Sequence, residues 1–372
     1  MEKVILSKLS KEELCDYIVN LGEKKFRAEQ IFSWIWAKNA SSFSDMTDVK
    51  KEFREFLNEN CQIIDCKIKQ KQVSKDGTIK YLVEYADGLC AECVLMRFDN
   101  RSNLSVCISC QVGCKMGCRF CETGKNGFKR NLSAHEIVSQ ILLIQNDTNL
   151  KITNVVFMGQ GEPLDNFENI KKAIYLINKN LQISIRRMTL STCGIAPKIK
   201  ELANNELVPT LAISLHAPNH QIRQCIMPIE KKYNIDELKS ALIEFNKKTK
   251  DRITIEYILI GGLNDTKECA LQLIEFLKDI KCNINLIPYN PVCDDNGFKK
   301  PIKKDMLKFK YFLEMSGKKV TIRLERGADI DAACGQLAGK AYLNNAENAL
   351  YWLFKEDKVL SIALNCFVIL VW

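Results

Sequence analysis

The sequence predicts an α/β protein: a partial (β/α)6-type barrel preceded by a small helical region and linking β-strands. Three observations carry this. From about residue 104 to 325, strand-like and helix-like patterns alternate, which implies parallel strands with crossover helices. Polar clusters follow the strand ends, where α/β folds place their sites. Residues before 60 show helical spacing, and 62–98 show strand-like runs split by turn residues. Some six units suit a partial barrel, and a full eight-unit barrel needs more chain. The expected divisions are 1–60, 61–98, 99–339 and an apolar tail over 340–372.

The elements follow in order. "SKEELCDYIVNLG" opens on a Ser-x-x-Glu capping box at Ser10 and ends at Gly22. "FRAEQIFSWIWAKN" sets Phe26, Ile31, Trp34 and Ile35 near helical spacing, which reads as core. "IKYLVEYADG" and "CAECVLMRF" form a small sheet that links this region to the main domain. Main-domain strands are expected at 104–110, 152–158, 187–192, 209–215, 252–258, 283–288 and 319–324. The clusters "GQGEP", "STCG", "SLHAPN" and "PYNP" sit at the ends of four of them, and a cysteine-rich stretch begins at the end of the first. Five loops thus converge on one mouth.

With 372 residues, 47% apolar and 27% charged, the chain can bury a sizeable core. Its net charge of +9 suits a polyanionic partner, although lysine greatly outnumbers arginine. Seventeen cysteines in a chain this long are too sparse for a disulfide scaffold. No apolar signal region follows the first residues, so a cytoplasmic protein with reduced thiols is expected. The tail "VLSIALNCFVILVW" (359–372) is shorter than the roughly 20 residues that cross a bilayer, so no membrane role is expected.

"SVCISCQVGCKMGCRFCETGK" holds five cysteines. Cys114, Cys118 and Cys121 form C-x3-C-x2-C. Three thiolates can hold three irons of a [4Fe–4S] cluster and leave the fourth open to S-adenosylmethionine (SAM), whose reductive cleavage starts radical chemistry. Structural zinc sites usually pair two such units, and no second unit follows. The "GEP" after the second strand adds an acidic group, Glu162, in a Gly-rich loop suited to a cofactor's amino group.

Together with "CISCQVGCKMGCRFCETG", the blocks "FMGQGEPLDN", "RRMTLSTCGIAP", "LAISLHAPN", "MPIEKKYNI", "INLIPYNP" and "DIDAACGQLAG" resemble the radical SAM superfamily. Within it they resemble the RNA adenine-C2 methyltransferases of the RlmN type, over about residues 10–339. The resemblance implies that Cys114, Cys118 and Cys121 bind the cluster. Cys334 would take a methyl group from one SAM, while a second SAM supplies the radical. Cys107 would release the product by attacking Cys334, and Glu92 would remove the C2 proton. SAM contacts carry over to Gly161, Glu162, Ser191, Ser214, Leu215, His216 and Asn290. Cys110 and Cys193 stand where the pattern has small polar residues.

The implied substrates are 23S ribosomal RNA and tRNA, with a reducing electron donor as a further partner and a monomer as the expected state. The basic runs "KNGFKRN", "RR" at 186–187 and "KKPIKK" fit RNA. A related enzyme type methylates adenine C8 with the same cysteines; "GEPLDN" and the fuller match elsewhere favour C2. A zinc-stabilised RNA-binding protein, which would carry zinc without iron or sulfide, and a protein-activating radical enzyme, which has no use for Cys334, are the other classes.

Overall fold

In the computed structural model, the seven expected main-domain strands are all present and lie in one sheet. The structure describes residues 3–97, 103–291, 297–323 and 325–338, so the apolar tail lies outside the described residues. The chain opens with β1 (Val4–Ile5), α1 (Lys11–Asn20), α2 (Lys25–Trp36), α3 (Lys51–Asn60) and β2 (Cys61–Gln62). Val4 of β1 pairs in parallel with Cys61 of β2, which ties the two ends of the helical region together. The capping box forms as expected: Glu13 N donates to Ser10 Oγ, and Ser10 N donates to Glu13 Oε2.

Ile31 and Ile35 are core residues. Phe26 is not: it is 50% exposed, against expectation. Five residues turn a helix by roughly 140° between Phe26 and Ile31, so the two cannot share a face. Trp34 is half-buried and donates Nε1–H to Asp48 Oδ1 at 2.6 Å.

The linking strands join the main sheet. β3 (Lys67–Val73), β4 (Ile79–Glu84) and β5 (Cys90–Arg97) run antiparallel. β5 then pairs antiparallel with β6 (Leu104–Cys107), with Val94 opposite Cys107. β6 stops before the expected residue 110. The backbone there turns to other partners: Ser109 N donates to Gln140 Oε1, and Ser109 Oγ donates to the Glu92 carbonyl.

A short antiparallel ribbon follows, made of β7 (Gln111–Gly113) and β8 (Phe128–Asn131), with the one-turn helix α4 (Glu122–Lys125) between them. Next come α5 (Ala134–Thr148), β9 (Asn154–Phe157), α6 (Phe167–Lys179), β10 (Met188–Thr192), α7 (Ala196–Leu202), β11 (Thr210–Ser214), α8 (His220–Ile226) and α9 (Ile235–Thr249). The main domain closes with β12 (Ile253–Leu259), α10 (Lys267–Phe276), β13 (Cys282–Pro288), α11 (Lys303–Met315) and β14 (Lys319–Ile322). The sheet order is β14-β13-β12-β11-β10-β9-β6-β5-β4-β3, and neighbours from β6 to β14 are parallel. Parallel strands are covered on both faces, which is why β12 carries the nearly continuous apolar run ITIEYIL. One cavity touches residues from β5, β6, β9, β10, β11, β12 and β13, so the sheet curls around it as a partial barrel does.

Candidate active site

The three-cysteine loop hangs from the β7–β8 ribbon. Cys114 N donates to the Gly127 carbonyl at 2.9 Å, and Cys121 N donates to the Cys118 carbonyl at 3.1 Å. Gly113 is required at the neck of this loop: its φ is +75°, and a Cβ there would lie 1.9 Å from the Gly127 oxygen. Cys114, Cys118 and Cys121 all line the cavity. Burial pushes all three thiols up, Cys114 to about 12.

Two further cysteines reach the same cavity, one just upstream of the three-cysteine loop and one far along the chain. Cys107, at the end of β6, is buried among Val94, Leu337, Met96 and Met158. Cys334 is exposed at the cavity wall. Both are free thiols in this structure. Burial pushes Cys107 up to about 12; Cys334 adds to the shift, and Arg323 opposes it. Arg323 Nη1 lies 4.0 Å from Cys334 Sγ and 3.7 Å from Glu256 Oε2.

Glu92 sits on β5, fully buried, and does not line the cavity itself. Val94 and Met96 do, and strand alternation puts Glu92 on their face. Its carboxylate pairs with Lys80 Nζ at 3.3 Å. Glu162 is 4% exposed. Its Oε1 accepts from Leu164 N at 3.0 Å and its Oε2 from Cys193 N at 2.7 Å, so it also organises the loop after β10. Burial raises its pKa. Gly161, just before it, has φ +101°, and a Cβ would meet Gln111 Cβ at 2.6 Å. Ser191 and Ser214, on adjacent strands, have their hydroxyls 3.4 Å apart.

A family model described as the radical SAM superfamily matches residues 108–277. A second, the ribosomal RNA large subunit methyltransferase N-terminal domain, matches residues 4–63. A protein of Lachnospira eligens named as a probable dual-specificity RNA methyltransferase RlmN is 47% identical over 90% of this chain and 96% of its own. A protein of the same name from Clostridium novyi is 46% identical over 90% of this chain and 97% of its own. The crystal structure of a radical SAM methyltransferase from Sphaerobacter thermophilus is 36% identical, covers 91% of this chain and all of its own, and superposes with a TM-score of 0.85. This chain belongs to the RlmN family of radical SAM enzymes.

RlmN-family membership bears out the resemblance read from the motifs, and it implies a [4Fe–4S] cluster and SAM. The residues present fit both. Three soft thiols share one glycine-shaped loop, and polar groups from β10 and β11 face the same cavity. Among the described residues, no three His, Cys, Asp or Glu side chains close on a single ion. A cubane asks for something else, one thiolate on each of three irons.

The implied SAM contacts of this RlmN-family chain divide in two. Gly161, Glu162, Ser191, Ser214 and His216 line the cavity. Leu215 and Asn290 do not: Leu215 is fully buried behind the wall, and Asn290 accepts from Lys300 Nζ at 3.2 Å. His216 Nδ1 accepts from Ile258 N at 3.0 Å, which leaves the ring proton on Nε2. Burial lowers its pKa to about 3, so it stays neutral and is no general acid–base group at neutral pH.

Cys110 is 2% exposed, turns its thiol toward the Gln160 carbonyl, and is absent from the cavity wall. It is a small buried residue. Sequence reading missed Glu256 and Arg323, which line the cavity. Their signal was there: a carboxylate inside the apolar run "RITIEYILI" and an arginine at the end of β14. A charge in such a place needs a partner.

Proposed function

We propose that this enzyme methylates C2 of adenine in 23S ribosomal RNA and in tRNA, through a methylated cysteine. The observation that carries the reading is the meeting of Cys107 and Cys334 in the cavity that also holds the three-cysteine loop. Chemistry explains why two extra thiols are useful. Ordinary SAM methylation needs a nucleophile, and adenine C2 is an electron-poor sp2 carbon. In the proposed cycle, Cys334 sulfur displaces the methyl group of one SAM, forming a new S–C bond. Cys114, Cys118 and Cys121 would hold a [4Fe–4S] cluster, which would supply the electron for reductive cleavage of a second SAM to a 5′-deoxyadenosyl radical. That radical would take a hydrogen atom from the Cys334 methyl group and become 5′-deoxyadenosine, and the resulting carbon radical adds to C2, leaving the unpaired electron on the ring. Glu92 takes the C2 proton. The adduct gives up its unpaired electron to a one-electron acceptor, which restores the aromatic ring. The Cys107 thiolate then attacks Cys334 sulfur, forming a disulfide, while the S–C bonding pair stays on the carbon. That carbon takes a proton to become the methyl group, and the reducing donor returns the disulfide to thiols.

Gly161, Glu162, Ser191, Ser214 and His216 orient SAM in this reading, with Leu215 buried beside the wall and Asn290 held by Lys300 outside the lining. The adenine must leave its stack to reach a cavity inside the barrel. The +9 charge and the exposed Lys125 and Lys129 beside the three-cysteine loop suit a phosphate backbone. No helix among the described residues is long and apolar enough to cross a membrane, and reduced thiols together with RNA substrates suit the cytoplasm. The test is mass spectrometry of RNA treated with anaerobically reconstituted enzyme, SAM and a reducing donor. 2-Methyladenine is expected. 8-Methyladenine as the main product overturns the regiochemistry, and zinc without iron or sulfide in the native protein overturns the cluster.

A further inference from the structure

Lys80 is the second residue of β4, where Ile79, Tyr81, Leu82 and Val83 are all buried. It is itself 2% exposed. A lysine in such a strand costs several kcal/mol of desolvation, and an apolar residue of similar size would usually serve stability as well or better. Burial accordingly pulls its pKa down, and the Glu92 carboxylate opposes the shift. The position calls for a reason other than stability.

The ammonium group supplies one. It lies 3.3 Å from Glu92 Oε1 and donates to the Asp331 carbonyl at 3.2 Å. Asp331 stands three residues before Cys334, at φ +50°. That segment is pinned on both sides. Asp329 accepts from Ser74 Oγ and Lys75 N, and Gly327 N donates to Asp76, all in the β3–β4 turn. On the other side, Thr123 Oγ1 donates to the Leu337 carbonyl, and Glu122 N donates to the Gly335 carbonyl. Lys80 thus touches both Glu92 and this segment.

We infer that Lys80 is a positioning residue: it fixes the place of the buried Glu92 carboxylate and ties it to the backbone that carries Cys334. Proton acceptor and methyl-bearing sulfur then keep a constant separation through the cycle. This inference rests on the roles proposed above for Glu92 and Cys334. The step concerned is one proton transfer: the C2–H bond breaks, the proton goes to a Glu92 oxygen, and the bonding pair stays on the adenine ring. Methyl transfer to Cys334 sulfur precedes it and needs no base at C2.

The test compares Lys80→Met, Lys80→Arg, Glu92→Gln and the Met/Gln double variant in full-length, cluster-loaded enzyme. Three quantities are read: Cys334 S-methylation by peptide mapping, the covalent protein–RNA adduct by gel shift and mass, and released methyladenine. In Lys80→Met, Cys334 is methylated as in wild type, the adduct accumulates, and release slows about 100-fold or more, the usual worth of a positioned base. Lys80→Arg recovers part of the release rate. The double variant is no slower than Glu92→Gln, because the two residues act as one unit. Wild-type release by Lys80→Met, with slow Glu92→Gln, overturns the inference alone. Fully additive losses in the double variant overturn it too. Wild-type release by Glu92→Gln, or no S-methylation in active wild type, overturns the underlying reading and the inference with it. Loss of S-methylation in both Lys80 variants makes Lys80 a folding residue, which also overturns it.

Discussion

At the residue scale, the cavity separates its thiols by surroundings. Cys107 is buried and pushed up to about 12, while Cys334 stands exposed beside a guanidinium. In the proposed cycle, the exposed thiol collects the methyl group and the buried one acts last. Cys107→Ala should therefore leave Cys334 S-methylation unchanged and trap a covalent protein–RNA adduct, seen as a mass shift resistant to denaturant. His216 gives a prediction in pH. Its pKa falls from 6.5 in the unfolded chain to about 3 in the fold. Between these values the unfolded state binds the proton and the fold does not, so stability falls as pH drops below about 6.5. In His216→Gln, the drop in urea midpoint between pH 7 and pH 5 should be smaller than in wild type.

At the element scale, the site depends on tight loops more than on strands. Gly161 lies against Gln111 and Cys110 at positive φ. Gly161→Ala should cost about 1–3 kcal/mol of stability, measured by denaturant unfolding, and weaken SAM binding measured by calorimetry. Gly113→Ala should open the neck of the three-cysteine loop and lower the iron bound per chain on reconstitution, while far-ultraviolet circular dichroism stays near wild type. These glycines were visible in the motifs, but not which backbone atoms crowd them. The strands of the main domain were legible because covered parallel strands carry long apolar runs, as β12 does, or alternate as β13 does with Asn283 and Asn285 between buried apolar residues. The end of β6 was not: the bonds of Ser109 to Gln140 and Glu92 are made with residues distant in sequence. Phe26 was misread because apolar content alone does not set its angle round α2.

At the scale of the whole molecule, charge and topology address the substrate together. RNA binding should weaken steeply between 50 and 200 mM salt, measured by filter binding, with log K linear in log salt. Lys129→Glu should reduce that slope without changing Cys334 S-methylation. By itself, the sequence determined the α/β class, the three-cysteine loop, the family and the strand ends where polar groups gather, because these are local patterns of spacing and residue type. Only the tertiary structure decided that Cys107 faces the same cavity as Cys334, that Glu92 is held by Lys80, that Arg323 and Glu256 share the wall, and that Leu215 and Asn290 do not line it. Those facts depend on how a curled sheet brings strands far apart in sequence to one mouth, a placement that no local spacing encodes.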